Sequence, residues 1–337
     1  MPFVETRGLH VEYEEHGDGP DVFVFLHGNY ASPRWWRPVT ERMPPRCRAL
    51  VPALRGSGRT RGTTTSFSMA QLAADLCEFA EALRLPPFHL VGHSLGGAVA
   101  MQFALDYADR VRTLVLAAPA PAAGLSALRR GDSRLARAVS LIDPDHEPSM
   151  AMLRGGIRAA RLLGTHQAMM RQTIEEMLPP SIRCGIELHD FVQDALSITP
   201  EASVGYLQSL HRWNVEDRLR QLHAPTLVIA GARDRIVPVF ALEETARLLP
   251  RGQLEVWPDT GHIPQLAAPE AFVERLLAFT AAQHARARIL AWVRGILLVV
   301  AAFLRSWKLS APALPAATTK QLGPQGAHDD RPARRSE

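Results

Sequence analysis

Short apolar segments alternate with helical patterns over the first 120 residues. Five of these segments are rich in β-branched residues or leucine, and glycine or proline closes or follows them: residues 10–17, 21–28, 49–54, 89–92 and 113–118. Strands that are apolar on both faces are typical of sheets with helices on each side. The pattern therefore predicts a mostly parallel sheet covered on both faces.

Helical patterns fill the intervals between these strands. Ser68 and Gln71 have the spacing of a capping box and precede a segment whose apolar positions share one helical face. Residues 96–110 are apolar almost all round, which predicts a helix buried against the sheet.

The pattern changes after residue 120. Four helical segments separated by prolines follow, with no strand candidate among them: residues 133–142, 150–163, 166–178 and 187–196. Strand patterns return at 224–231 and 252–258, and a helix that starts with proline is predicted at 269–283. We therefore expect an α/β fold, a doubly wound mostly parallel sheet with an inserted all-helical cap and a C-terminal extra helix.

These patterns also predict domain boundaries. The core is expected from residues 1–120 and 212–284, and the helical cap from residues 121–211. A basic amphipathic apolar helix is expected at 285–310. Residues 311–337 are rich in Pro, Ala and charged residues, which is typical of a disordered tail.

The net charge of +4 belongs to the C-terminal tail. Residues 285–337 contain nine Lys and Arg against three Asp and Glu, and the body before them has a net charge of −2. The body therefore has no positive excess to attract phosphates, and we expect no nucleic acid partner.

The cysteines and the N-terminus predict the compartment. Cys47, Cys77 and Cys184 are far apart and odd in number, which favours neither a disulfide framework nor a zinc site. The N-terminal residues lack the basic and then apolar pattern of a secretory signal. We expect a cytoplasmic protein.

The segment 289–304 has sixteen mostly apolar residues, about 24 Å as a helix, which is shorter than a hydrocarbon core of about 30 Å. Arg294 interrupts it and lies within about 60° of Arg305 and Lys308 on a helical projection. A charged stripe opposite an apolar face favours a membrane surface as partner of residues 289–308, or docking on protein, over spanning. The sequence leaves the first two interpretations equally open.

The candidate chemistry starts at Ser94. This serine lies between Gly92 and Gly96, directly after a predicted strand and before a predicted helix, as a nucleophile on a tight turn requires. A serine hydroxyl at its normal pKa is a poor nucleophile, so a base and an orienting acid are expected elsewhere.

Asp234 and His262 follow the two late strands. Because the carboxyl ends of parallel strands lie at one edge of the sheet, both side chains can converge on Ser94. We expect His262 to act as the base and Asp234 to orient it. Asp259 is the alternative acid, but it lies three residues from His262 in the same tight loop, which is a poor position for orienting the ring.

Five stretches together resemble the α/β-hydrolase family with a serine nucleophile and a helical cap: FLHGN (25–29), LRGSGRT (54–60), VGHSLGG (91–97), GARDRIVP (231–238) and TGHIP (260–264). The resemblance implies an oxyanion hole formed by the backbone N–H groups of Asn29 and Leu95. The sequence departs from the family pattern at Ala53, where relatives commonly have Asp, so the attachment of the loop that follows is an open question.

The cap is expected to select the substrate. Trp35, Trp36, Met150 and Met169 are candidates for an apolar pocket, because methionine adapts to irregular apolar space. Two other interpretations remain open: the methionines form the interior of the cap, or Trp36 packs beneath the sheet. The sequence has no HExxH or CxxC motif, so neither a metal nor a cofactor is expected.

The resulting hypothesis is a serine hydrolase that cleaves a carboxylic ester of a small to medium apolar substrate through an acyl-enzyme. Lactone opening and C–C bond hydrolysis are alternatives on the same three residues. A non-catalytic ligand receptor or a membrane-recruited protein is the alternative from another class. The sequence identifies neither the natural substrate nor the oligomeric state.

Overall fold

The structure is a computed structural model that describes residues 1–130, 146–178 and 184–310. The chain divides into two compact units, of which the first ends at Ala285 and the second begins at Arg286.

The described residues form a nine-stranded sheet in the order β1-β2-β4-β3-β6-β7-β8-β9, with β5 paired to β2. The strands are β1 (Phe3–Glu5), β2 (Leu9–His16), β3 (Asp21–Leu26), β4 (Cys47–Pro52), β5 (Arg61–Gly62), β6 (Phe88–His93), β7 (Val111–Ala117), β8 (Thr226–Gly231) and β9 (Gly252–Trp257). Strands β4, β3, β6, β7, β8 and β9 pair in parallel, whereas β1 and β2 are antiparallel to their neighbours. The predicted mostly parallel sheet is confirmed.

Helices cover the sheet and fill the described part of the chain between β7 and β8. They are α1 (Arg37–Thr40), α2 (Met69–Ala82), α3 (Leu95–Asp106), α4 (Glu147–Leu162), α5 (Thr165–Met177), α6 (Leu188–Ser197), α7 (Pro200–Arg212), α8 (Glu216–Leu219), α9 (Val239–Leu248), α10 (Pro264–Ala267) and α11 (Pro269–Ser310). Short 3₁₀ helices occur at Pro33–Trp36, Ala108–Arg110 and Gly124–Arg130. The helix predicted at 133–142 lies outside the described residues.

Both faces of the sheet are buried because successive strand residues point to opposite sides. On β3, Val22, Val24 and Leu26 face the cluster that includes α2 and α3. Phe23 and Phe25 face the opposite cluster, which includes residues of α11. The strands are thus apolar along their whole length because helices cover both faces of the sheet, as predicted.

Two local predictions need correction. The Ser68 hydroxyl accepts a hydrogen bond from the backbone N–H of Gln71 at 3.1 Å. The Gln71 side chain, however, donates to Asp75 and does not close the capping box. The helices predicted at 269–283 and 285–310 are parts of one helix, α11. Residues 284–288 lack glycine and proline, so nothing in the sequence at their junction ends the helix. The tail predicted from residue 311 lies outside the described residues.

The loop after β4 is attached through Arg55. The Arg55 side chain is buried and forms a two-point ion pair with Asp75 on α2, with an Nε–Oδ2 distance of 2.8 Å. The Tyr206 hydroxyl on α7 donates to the Arg55 carbonyl, and Leu54 donates its N–H to His27 Nε2 at 3.0 Å. These contacts hold the loop that follows Ala53.

Replacing Arg55 with Met should destabilise the protein strongly, because it leaves the buried Asp75 carboxylate without its cation. Breaking one side of a buried pair costs about 3 kcal/mol or more in unfolding free energy, which urea unfolding measures. Asp259→Asn is the matched control, since its partner Arg233 and Asp259 itself are both exposed, and it should change stability by less than about 0.5 kcal/mol. Equal losses in the two variants would contradict this account.

A second buried charge connects α6 to the core. Asp194 is 7% exposed, and its Oδ2 has no hydrogen-bond partner among the described residues. Burial raises the pKa of the Asp194 carboxyl from 3.8 to about 6, although Arg34 nearby opposes this shift.

This raised pKa predicts a pH-dependent stability. Between about pH 4 and pH 6 the folded protein retains a proton that the unfolded chain has released, so the Asp194 contribution to stability falls as pH rises. Asp194→Asn removes that contribution. The variant should gain ~2 kcal/mol on the wild type between pH 4 and pH 7, as measured by urea unfolding at both values. A difference that does not change with pH would disprove the assignment.

Candidate active site

Ser94 occupies a strained turn between β6 and α3. Its backbone has φ 51° and ψ −117°, a conformation that non-glycine residues adopt rarely and at a cost. The Ser94 N–H donates to the Ala117 carbonyl at 3.2 Å, and the Ser94 carbonyl accepts from Gly97 and Ala120 at 2.9 Å. The turn is therefore fixed from both sides, as in a nucleophile elbow.

The glycines around Ser94 are required by close backbone contacts. A Cβ atom on Gly92 would lie 2.5 Å from the Gly96 carbonyl oxygen, and one on Gly96 would lie 2.5 Å from the Leu26 carbonyl oxygen. Both distances are shorter than a real Cβ contact. This geometry agrees with the sequence prediction that Gly92 and Gly96 allow a tight turn around Ser94.

The structure brings Ser94, His262 and Asp234 together at the carboxyl edge of the sheet. His262 Nε2 lies 3.0 Å from Ser94 Oγ, and His262 Nδ1 lies 2.8 Å from Asp234 Oδ2. The other oxygen of Asp234 accepts from the N–H groups of Ile236 and Val237 at 2.7 and 2.9 Å. The carboxylate is thus oriented toward the His262 ring, which can donate its Nδ1 proton to it.

Asp259, the alternative acid, does not reach His262. Its carboxylate forms an ion pair with Arg233 at 2.6 Å, and its side chain is 80% exposed. The loop between β9 and α10 therefore directs this carboxylate to solvent.

Two backbone N–H groups next to Ser94 are free of protein acceptors within the described residues. Leu95 is the first residue of α3, so its N–H has no partner within the helix. The N–H of Asn29 follows β3, and neither amide donates to a carbonyl in the described part of the chain. The Asn29 side chain accepts from the Tyr30 N–H at 3.0 Å, so it stabilises its own turn.

Two buried histidines support this edge. His27 Nδ1 donates to the Gly28 carbonyl at 2.8 Å, and burial lowers the pKa of His27 to about 4. His93 Nε2 donates to the His262 carbonyl at 2.9 Å, and burial, followed by the charge of His262, lowers the pKa of His93 to about 3. Both rings are therefore neutral at pH 7, and their hydrogen bonds fix which nitrogen carries the proton.

Trp35 lies where α5 and α6 contact the core. Its ring packs edge-on against Phe191 with centroids 5.0 Å apart, and both belong to a buried cluster with Met170 and Ile263. Since Ile263 directly follows His262, this cluster adjoins the site. Met150 is also buried.

Trp36 and Met169 do not have the positions expected of pocket residues. Trp36 is fully buried beneath the sheet, with its ring 5.1 Å from Phe25 and 5.8 Å from Phe272. This position agrees with the alternative interpretation of the sequence, in which Trp36 packs beneath the sheet. Met169 is 55% exposed, whereas its neighbour Met170 is buried, because consecutive residues of a helix point about 100° apart.

Sequence reasoning counted Met170 among the cap methionines but missed Ile174 and Phe191, which share the buried cluster of Trp35 with it. The spacing of four between Met170 and Ile174 is the signal that selects them, since residues four apart share a helical face.

Among the described residues, no group of three or more His, Cys, Asp or Glu side chains is arranged to hold a metal ion. The arrangement that the structure shows consists of a hydroxyl, an imidazole and a carboxylate joined in series beside two free amides. Such an arrangement suits nucleophilic acyl transfer.

A family model for the alpha/beta hydrolase fold matches residues 21–269. The pimeloyl-[acyl-carrier protein] methyl ester esterase of Vibrio vulnificus is 28% identical over 269 residues, which cover 80% of this chain and 97% of that protein. The magnesium-chelatase 30 kDa subunit of Rhodobacter capsulatus is 30% identical over 251 residues, covering 73% of this chain and 81% of the subunit.

A solved structure of a thermophilic esterase from Thermogutta terrifontis superposes with a TM-score of 0.67 at 24% identity. The match covers 84% of this chain and 98% of the esterase chain, so the likeness extends over the whole fold. The chain belongs to the alpha/beta hydrolase fold family, as its sequence motifs predict.

Proposed function

We propose that this protein is a serine hydrolase that cleaves a carboxylic ester of a small to medium apolar substrate. The observation that carries the proposal is the connected series Ser94–His262–Asp234, with distances of 3.0 and 2.8 Å, next to the free amides of Asn29 and Leu95. The name of the esterase from Vibrio vulnificus supports the same reaction class.

In the first step, His262 Nε2 removes the proton of Ser94 while Ser94 Oγ attacks the carbonyl carbon of the ester. The carbonyl oxygen becomes negatively charged and accepts hydrogen bonds from the N–H groups of Asn29 and Leu95. Such preorganised donors contribute about 3 kcal/mol each in comparable enzymes. Asp234 stabilises the imidazolium that forms on His262.

In the second step, His262 returns the proton to the leaving alkoxide, which departs as an alcohol and leaves the acyl group on Ser94. Water then attacks this acyl-enzyme, with His262 as the base, and the acid is released. Ser94 regains its proton from His262, so the enzyme returns to its initial state.

The preference for an apolar substrate comes from the cluster of Trp35, Phe191 and Ile263 beside the site. We assign substrate selection to a cap comprising residues 121–211, since Phe191 and Met170 contribute to the cluster from α6 and α5. Met150 remains a candidate for the apolar lining of the substrate site because it is buried.

The second candidate is a hydrolase fold with a different role, such as a ligand receptor. The relative that is 30% identical has the name of a magnesium-chelatase subunit, so esterase is not the only name within the family. The two candidates differ in whether Ser94 is chemically reactive.

Ser94→Ala should lower the turnover of p-nitrophenyl butyrate by at least about a thousand-fold, because the variant lacks the nucleophile. Intact-mass spectrometry after treatment with a fluorophosphonate should show one adduct on the wild type and none on the variant. Ser66→Ala, which removes an exposed hydroxyl from the loop before α2, is the matched control and should retain both signals. An adduct on Ser94→Ala would remove Ser94 as the nucleophile, and a wild type without turnover or adduct would favour the receptor.

We further propose that the second unit attaches to a membrane surface. The described part of α11 beyond Ala285 exposes a set of large apolar side chains, each more than half exposed: Ile289, Leu290, Trp292, Leu297, Leu298 and Val299. Arg286, Arg288 and Arg294 are exposed along the same stretch and suit anionic headgroups. These exposed apolar and basic side chains suit a helix lying in the interface. None of the described helices is long and apolar enough to cross a bilayer.

Flotation with vesicles that contain anionic phospholipid measures this attachment. The full chain should float with the vesicles, and Leu298→Glu should float less because it places a charge on the apolar surface. Met152→Glu is the matched control, because Met152 is equally exposed but lies on α4. Flotation that does not distinguish the variants, or a chain that does not float at all, would contradict the membrane proposal.

A further inference from the structure

Two consecutive residues contact the same histidine in different ways. Ser94 Oγ lies 3.0 Å from the His262 ring nitrogen Nε2, and His93 Nε2 lies 2.9 Å from the His262 backbone oxygen. The end of β6 therefore contacts both the side chain and the main chain of His262.

We propose that His93 is a positioning residue for the reaction: its Nε2–H group holds the His262 backbone and thereby sets the distance between the His262 ring and Ser94. This inference rests on the proposed function, because it assigns His93 a role in the same site.

The loop that carries His262 has few other backbone hydrogen bonds near this residue. The Thr260 carbonyl accepts from the Arg233 N–H at 2.9 Å, and the next backbone bond joins Leu266 to Ile263 at 3.1 Å. Between them, within the described residues, the His262 carbonyl has the His93 side chain as its partner and no backbone donor. Loss of this bond therefore removes the hydrogen bond that holds the His262 backbone, from which the imidazole projects.

The opposite end of this contact is rigid. His93 is the last residue of β6 and is 2% exposed, and the Ser94 backbone that follows is held by Ala117 and Gly97. Because His93 and Ser94 are consecutive, any displacement of the elbow moves the donor and the nucleophile together. The hydrogen bond from His93 thus keeps His262 at a constant position relative to Ser94.

The surroundings of His93 select one form of its ring. Nε2 must carry the proton because it donates to a carbonyl, and Nδ1 has no partner among the described residues. Gly28 lies so close to this ring that a Cβ atom on it would be 2.8 Å from Nδ1. Only glycine therefore fits beside His93 at this position. The ring centroids of His93 and His262 are 5.1 Å apart, and a neutral His93 leaves His262 free to become the cation that catalysis requires.

His93→Met tests the donor, since methionine has similar length but no N–H group. We expect kcat for p-nitrophenyl butyrate to fall by about ten-fold or more, because small misplacements of a catalytic group reduce rates steeply. KM should stay within about two-fold, since the change affects the reacting geometry and not substrate binding. The rate of fluorophosphonate labelling should fall with kcat.

His93→Gln is the rescue variant, because its side-chain amide places an N–H donor near the position of Nε2. It should recover kcat to within about three-fold of the wild type. His89→Met is the matched control: His89 is buried on the same strand and bonds to Thr113, so its loss disturbs β6 without touching His262. Its kcat should equal that of the wild type at a temperature where urea unfolding shows both proteins folded.

The proposal is overturned if His93→Met keeps full kcat, or if folded His93→Gln is as slow as His93→Met. His93→Phe, which retains a ring without a donor, replaces the methionine variant if that protein does not fold. The proposed function fails separately: equal turnover by wild type and Ser94→Ala refutes it, whereas a strict need for Ser94 with a normal His93→Met refutes the role of His93 alone.

Discussion

The site depends on a single backbone conformation, the positive φ of Ser94. A residue with a side chain adopts this conformation at a cost of about 1–3 kcal/mol, so the surrounding structure must enforce it. Three features do so: the parallel pairing of β6 with β7, the helix that starts at Leu95, and glycines where any side chain would meet backbone. The hydroxyl is thereby projected above the sheet edge, where the loops after β8 and β9 can reach it.

Much of this arrangement could be predicted from the sequence because it follows from the direction of the strands. In a parallel sheet every carboxyl end lies at one edge, so a serine after β6, an aspartate after β8 and a histidine after β9 have one place to meet. The continuous apolar strands likewise require helices on both faces. These predictions use periodicity and chain direction, which a single sequence contains.

Predictions that depended on the direction of one side chain were less successful. Trp36 follows Trp35 directly, yet Trp36 packs under the sheet and Trp35 belongs to the buried cluster with Met170 and Phe191, because adjacent residues of a 3₁₀ turn point in different directions. Met169 and Met170 differ for the same reason. The C-terminal helix was predicted, but its continuity with the preceding helix was not, because the two apolar patterns differ although no glycine or proline separates them.

The arrangement of these residues along the chain has a consequence for folding. The serine follows β6, in the part of the sheet that precedes the helices between β7 and β8, whereas the carboxylate and the imidazole lie in the loops after β8 and β9. The pairing of β7 with β8 joins these two parts, so under the proposed function the Ser94 hydroxyl lacks its base and its orienting acid until the last strands pair. Reactivity at this serine should accordingly report closure of the sheet, and it offers a chemical probe for when the two halves meet.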